Sequence, residues 1–144
     1  MKWMIILPLL LTFVACGTQR KAFLFPGQTT SLTFGRGGGV TGGVEEYLID
    51  TSGKVVFRET LKQEPSYREV KTLDRKQLNE IAEKIDALEF LEVTFNHPGN
   101  LYWFIETRSD AGPHRVSWGD HRKEAPPEMV ELYKYLEKAV TEEP

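Results

Sequence analysis

Leu73-Asp74-Arg75-Lys76-Gln77-Leu78-Asn79-Glu80-Ile81-Ala82-Glu83-Lys84-Ile85-Asp86-Ala87-Leu88 is the stretch on which the fold turns. Asp74 is a good N-cap, because its short carboxylate can accept from the free amide groups of a first helical turn. Gln77 stands where a capping box places its second member, and Leu73 can staple onto Leu78 across the same turn. Leu78, Ile81, Ile85 and Leu88 recur at helical spacing, while Glu80, Glu83, Lys84 and Asp86 fill the other face. Such a helix must bury its apolar stripe against a neighbouring layer. Strand-like sequence flanks it on both sides.

Upstream, residues 29–34 alternate with β-favouring side chains and predict a strand. Residues 44–50 and 54–58 flank Thr51-Ser52-Gly53 and predict a hairpin, with Gly53 suited to a left-handed turn position. The charges across 58–69 read as a solvated strand end and linker. Downstream, Phe90, Leu91, Val93 and Phe95 form an apolar docking segment, which Asn96-His97-Pro98-Gly99-Asn100 breaks as a turn-rich loop. Residues 101–107 predict an apolar strand and 109–113 a turn. The chain then returns over 114–118 with alternation at His114, Val116 and Trp118. A last helix starts at Pro126-Pro127, since proline is favoured in a first turn, and buries Met129, Leu132, Tyr133, Leu136 and Val140. The expected fold is therefore α+β: an antiparallel sheet from two β-hairpins plus an N-terminal strand, with two helices packed on one face. The two halves share a layout but too little sequence to define a repeat.

The chain has 144 residues, a length that suits one domain with a sound core rather than two. With 18 Lys+Arg against 21 Asp+Glu it lacks the electrostatic footprint of a nucleic-acid binder. Its one cysteine excludes an internal disulfide framework and any Cys-rich zinc or iron–sulfur site.

That cysteine sits in an informative place. Lys2 precedes an apolar run from Trp3 to Val14, closed by the small residue Ala15, which is the layout of a secretory signal peptide. The run contains Pro8 and is shorter than the ~20 apolar residues a spanning helix needs. Phe13-Val14-Ala15-Cys16 resembles the lipobox of bacterial lipoproteins, with Phe13 where that family prefers leucine. The resemblance implies cleavage before Cys16 and attachment of palmitate-type acyl chains to it. Two or three such chains, at about 0.8 kcal/mol per buried methylene, hold a protein on a membrane essentially permanently. Gly17 stands where an aspartate retains many enterobacterial lipoproteins at the inner membrane. Thr18-Gln19-Arg20-Lys21 lacks the acidic cluster of a surface-export tag. The resemblance thus implies the outer membrane, periplasmic face. Residues 37–43, rich in glycine, followed by Tyr47 and Gly53, with Trp118-Gly119 and the proline-initiated last helix, together resemble small uncharacterised lipoproteins of the Bacteroidota type, which carry over no activity. The expected organisation is a signal peptide over 1–15, a lipidated tether over 16–28, one α+β domain over 29–140 and a tail over 141–144.

The most unusual local feature is Gly35-Arg36-Gly37-Gly38-Gly39-Val40-Thr41-Gly42-Gly43. Gly37, Gly39 and Gly42 match G-x-G-x-x-G, but a dinucleotide site needs a helix next and a strand follows here. Three readings remain: a flexible connection, backbone bulges in a sheet edge, or a bare-backbone surface that receives a partner. His97, His114 and His121 have no metal-ligand spacing. Ser117 lacks the G-x-S-x-G turn, because Arg115 holds the place of the first glycine. Asp120-His121 are merely sequence neighbours. No catalytic set, cofactor site or metal site is expected. Tyr102 and Phe104 should face one way and Trp103 the other, leaving one side as a contact surface.

The expectation for function is a membrane-anchored, non-catalytic binding or interaction module. Its contact residues would be Gly37, Gly38, Gly39, Gly42 and Trp103, and its partner a periplasmic protein or peptide, received by backbone pairing at an exposed sheet edge. The alternatives are a structural envelope component or a small periplasmic hydrolase.

Overall fold

The structure, a computed structural model, describes residues 25–142; the signal segment and Cys16 lie outside the described residues. Six strands form one sheet in the order β4-β3-β2-β1-β5-β6, every neighbouring pair antiparallel. They are β1 (Ser31–Gly38), β2 (Gly43–Asp50), β3 (Lys54–Leu61), β4 (Glu64–Thr72), β5 (Leu101–Ser109) and β6 (Gly112–Trp118), with helix α1 (Arg75–Ala87) after β4 and helix α2 (Pro127–Thr141) last. The fold is α+β. The first four strands make a meander, α1 carries the chain back past β3, β2 and β1, and β5 then pairs with the free side of β1.

Strand register sorts the side chains into two faces. Leu32 and Phe34 stand beside Ile49 and Tyr47 on β2, which stand beside Val55 and Phe57 on β3. On the other side of β1 they stand beside Thr107 and Ile105, and Ile105 beside Val116. This face takes both helices: Leu78, Ile81 and Ile85 of α1 and Met129, Leu132, Leu136 and Val140 of α2 are buried in one cluster with it. The start of α1 has both halves of the capping box, the Gln77 amide donating to the Asp74 carboxylate at 2.8 Å and the Asp74 amide to the Gln77 side chain at 2.9 Å.

The structure departs from the expected layout in three places. The segment read as a solvated linker is strand β4, so the first hairpin is part of a four-stranded meander. Its residues from Glu64 to Glu69 are all exposed, and an edge strand wet on both faces has no apolar alternation to read. The tight turn before it uses Lys62 and Gln63 at φ 51° and 71°, without the Gly or Asn that marks such turns. Second, Phe25 is 2% exposed within the core and Thr29 is buried. The folded unit therefore begins inside the expected tether. Third, β1 runs on through the glycine segment to Gly38, and only Gly39 to Gly42 form the turn to β2.

Both sheet edges are blunted. Along β4, Pro65 and a run of charges meet solvent, with a register shift opposite Val55 and Val56. At β6 the segment around Asn96 lies parallel to the strand, the His97 amide donating to the Ser117 carbonyl at 2.9 Å and the Ser117 amide to the Phe95 carbonyl at 3.0 Å.

Candidate functional site: an aromatic groove beside the last helix

The glycines are not a bare surface at a sheet edge. Gly37 and Gly38 belong to β1, hydrogen-bonded to β2 on one side and β5 on the other, so no partner strand can pair there. A Cβ on Gly37 would stand 2.6 Å from the Tyr102 hydroxyl, and one on Gly35 would stand 2.6 Å from the Glu46 Cβ. Side chains from both neighbouring strands thus lie across the bare backbone of β1. Gly38, at φ 94°, meets the Asn100 carbonyl, whereas Gly39 and Gly42, at φ 76° and 63°, form the turn and face open space. The first group solves a packing problem and the second a turn problem.

The aromatic alternation falls as expected. Tyr102 and Phe104 point away from the helices, and the Arg115 guanidinium lies 3.6 Å from the Phe104 ring centre. Phe104 is accordingly buried, at 1% exposure. Trp103 points to the helix face, yet stands in register with Trp118 and Arg36 at the strand ends and stays half-buried.

There it floors a groove of about 330 Å³ whose other walls are Trp118, Val130, Tyr133, Lys134 and Glu137. Helix α2 supplies four of these by its periodicity: Val130, Tyr133, Lys134 and Glu137 share the side that looks along the sheet rather than into it. Tyr133 is set edge-on against Trp118 at 5.8 Å and against Phe34 at 5.7 Å, which fixes its ring between core and groove. Burial, and after it the Glu137 carboxylate, push its phenol up to about 12. Lys134 is held by Glu131 at 2.9 Å. At the rim, Arg36 meets Glu45 through two contacts of 2.8 and 2.9 Å. The Tyr133 hydroxyl has no hydrogen-bond partner, and Glu137 no ion-pair partner, among the described residues.

Of the residues weighed for chemistry, only Asp120 and His121 approach one another through their side chains, at 3.9 Å. The Ser117 hydroxyl donates to Asn96, while Asp120 is gripped by Arg122, whose side chain above all holds that carboxyl down to about 2. His121 is 90% exposed in its side chain, and His114 places Nε2 3.0 Å from the Phe90 carbonyl. No metal-binding group of His, Cys, Asp or Glu occurs among the described residues.

Of the groove, sequence reading singled out only Trp103. Trp118 was legible as its same-face neighbour, and Tyr133 as a stripe residue whose polar tip must find an outlet. Lys134 and Glu137 carry no signal in the sequence, because which flank of α2 borders the sheet is fixed by tertiary packing. Comparison with protein-family models and with curated proteins finds no match for this chain.

Proposed function

We propose that the protein is a lipid-anchored envelope lipoprotein, held at the periplasmic face of the outer membrane through Cys16, whose domain is a non-catalytic binding module. The observation that carries the anchor is Phe13-Val14-Ala15-Cys16 at the end of a signal-like apolar run, with the chain's only cysteine at the position that takes the lipid. Residues 17–24 then separate Cys16 from Phe25, a length that spans at most ~30 Å when extended. The module would therefore work close to the bilayer surface. The absence, among the described residues, of a helix long and apolar enough to cross a membrane is compatible with an anchored domain.

Support for binding comes from the Trp103 groove: a concave, largely apolar lining with a few polar groups at its wall is the usual make-up of a recognition site. Edge pairing at the glycines is replaced in this reading by contact at that groove. Feeding cells a clickable fatty acid tests the anchor. Label should enter the protein, and Cys16→Ser should abolish label and cleavage and remove the protein from the outer-membrane fraction. Label and fractionation unchanged in Cys16→Ser would refute it.

A further inference from the structure

The groove has a feature that selects among ligands. Trp103, Trp118 and Tyr133 line it with aromatic area, whose ring faces are negative at their centres. Its polar groups are of both kinds: Lys134 donates, Glu137 accepts, and the Tyr133 hydroxyl can do either. The Arg36–Glu45 pair at the rim adds one charge of each sign. Lys134 is already held by Glu131 and Arg36 by Glu45, which leaves the Glu137 carboxylate and the Tyr133 hydroxyl as the polar groups a ligand would meet.

We infer that the Trp103 groove binds a neutral sugar, a β-linked pyranose with equatorial substituents. This rests on reading the groove as the binding surface. Such a ring presents a flat face of axial C–H groups, weakly positive, which matches an indole face. Its hydroxyls radiate from the rim, each both donor and acceptor, so the Glu137 carboxylate and the Tyr133 phenol can both be satisfied at once. A proline-rich peptide is the other ligand that packs on exposed aromatics. It serves this groove poorly, because prolines lack N–H groups and leave the Glu137 carboxylate without a donor. The volume agrees: about 330 Å³ lies at the small end of the ~300–1,000 Å³ range of ligand sites, room for one or two sugar rings.

The test is an NMR titration of the full chain in a sugar-free detergent such as lauryldimethylamine oxide, with the indole N–H resonances as reporters. The probes are chitotriose, cellotriose and a Pro-rich peptide of comparable length, each at millimolar concentration. Chitotriose or cellotriose should shift the Trp103 indole and the Lys134 and Glu137 amides. Trp103→Ala should weaken binding about tenfold or more, and Glu137→Gln about three- to tenfold, with the amide spectrum otherwise native. A peptide that shifts these resonances while both sugars leave them still would overturn the sugar and keep the groove as a binding surface. Shifts by no probe, with partner crosslinking in cells also indifferent to Trp103→Ala, would overturn both. A sugar effect that survives Trp103→Ala would place binding elsewhere and equally refute the inference.

Discussion

Tyr102 lies across Gly37, its phenolic oxygen 2.6 Å from where a Cβ on that glycine would stand. The contact explains why a central strand, where glycine ordinarily weakens pairing, carries it here. Gly37→Ala should cost about 1–3 kcal/mol through overpacking. Because the obstacle is the end of a side chain, Tyr102→Ala in the same chain should recover part of that loss. The neighbouring Gly35→Ala meets the Glu45 carbonyl and the Glu46 backbone, so no single truncation should rescue it. Urea unfolding of the two single variants and the double variant measures the coupling. Additive losses at Gly37 and Tyr102 would show that the contact is not the cause.

The β3–β4 turn places Lys62 and Gln63 at φ 51° and 71°. Side chains there cost about 1–2 kcal/mol per residue relative to glycine, and asparagine followed by glycine suits the turn. Lys62→Asn with Gln63→Gly should therefore raise the urea midpoint by about 1–2 kcal/mol equivalent with an unchanged slope. A lowered midpoint would contradict the observed turn geometry.

Phe25 is fully packed although it precedes the first strand. Phe25→Ala should destabilise the fold by about 3–5 kcal/mol, measured by thermal or urea unfolding. A loss no larger than that of an exposed substitution would return this residue to the tether.

Tyr133 sets a pH limit. Its phenol ionises near 10 when unfolded and near 12 when folded. Between these values the unfolded chain has lost a proton that the folded chain keeps, so stability falls as pH rises through the window and is fully present below it. Ultraviolet titration should show a late-ionising phenol that Tyr133→Phe removes, together with a shallower alkaline loss of stability. Tyr135 is also raised, by burial first, so the comparison with Tyr133→Phe is needed to assign the signal.

How much could be read from residues alone follows from where the energy is local. The capping box at Asp74 and Gln77 and the stripe of α1 depend on neighbours in sequence, and both stand as expected. The same holds for the stripe of α2 except at Tyr133: Met129, Leu132, Leu136 and Val140 are buried, while Tyr133 is half-buried at the groove. Strand β4 escaped because an edge strand with Pro65, Arg68 and Glu69 in solvent is held by backbone pairing to β3, which leaves little side-chain signature. The glycine segment was legible as unusual but not as a central strand, since its reason is Tyr102 and Glu46 arriving from other strands. The groove was half legible. Strand parity separated Trp103 from Tyr102 and Phe104, but the flank of α2 that Lys134 and Glu137 occupy is set by packing on Phe34 and Trp118.

The measurement that most directly tests a lipid-anchored module recognising its ligand at the Trp103 groove is photocrosslinking in growing cells from a benzophenone amino acid at position 134. The benzophenone inserts into C–H bonds of peptide and saccharide alike. One dominant adduct should form in the outer-membrane fraction, vanish with Trp103→Ala, and leave that fraction with Cys16→Ser. A scatter of weak adducts, the same with and without Trp103, would contradict the account.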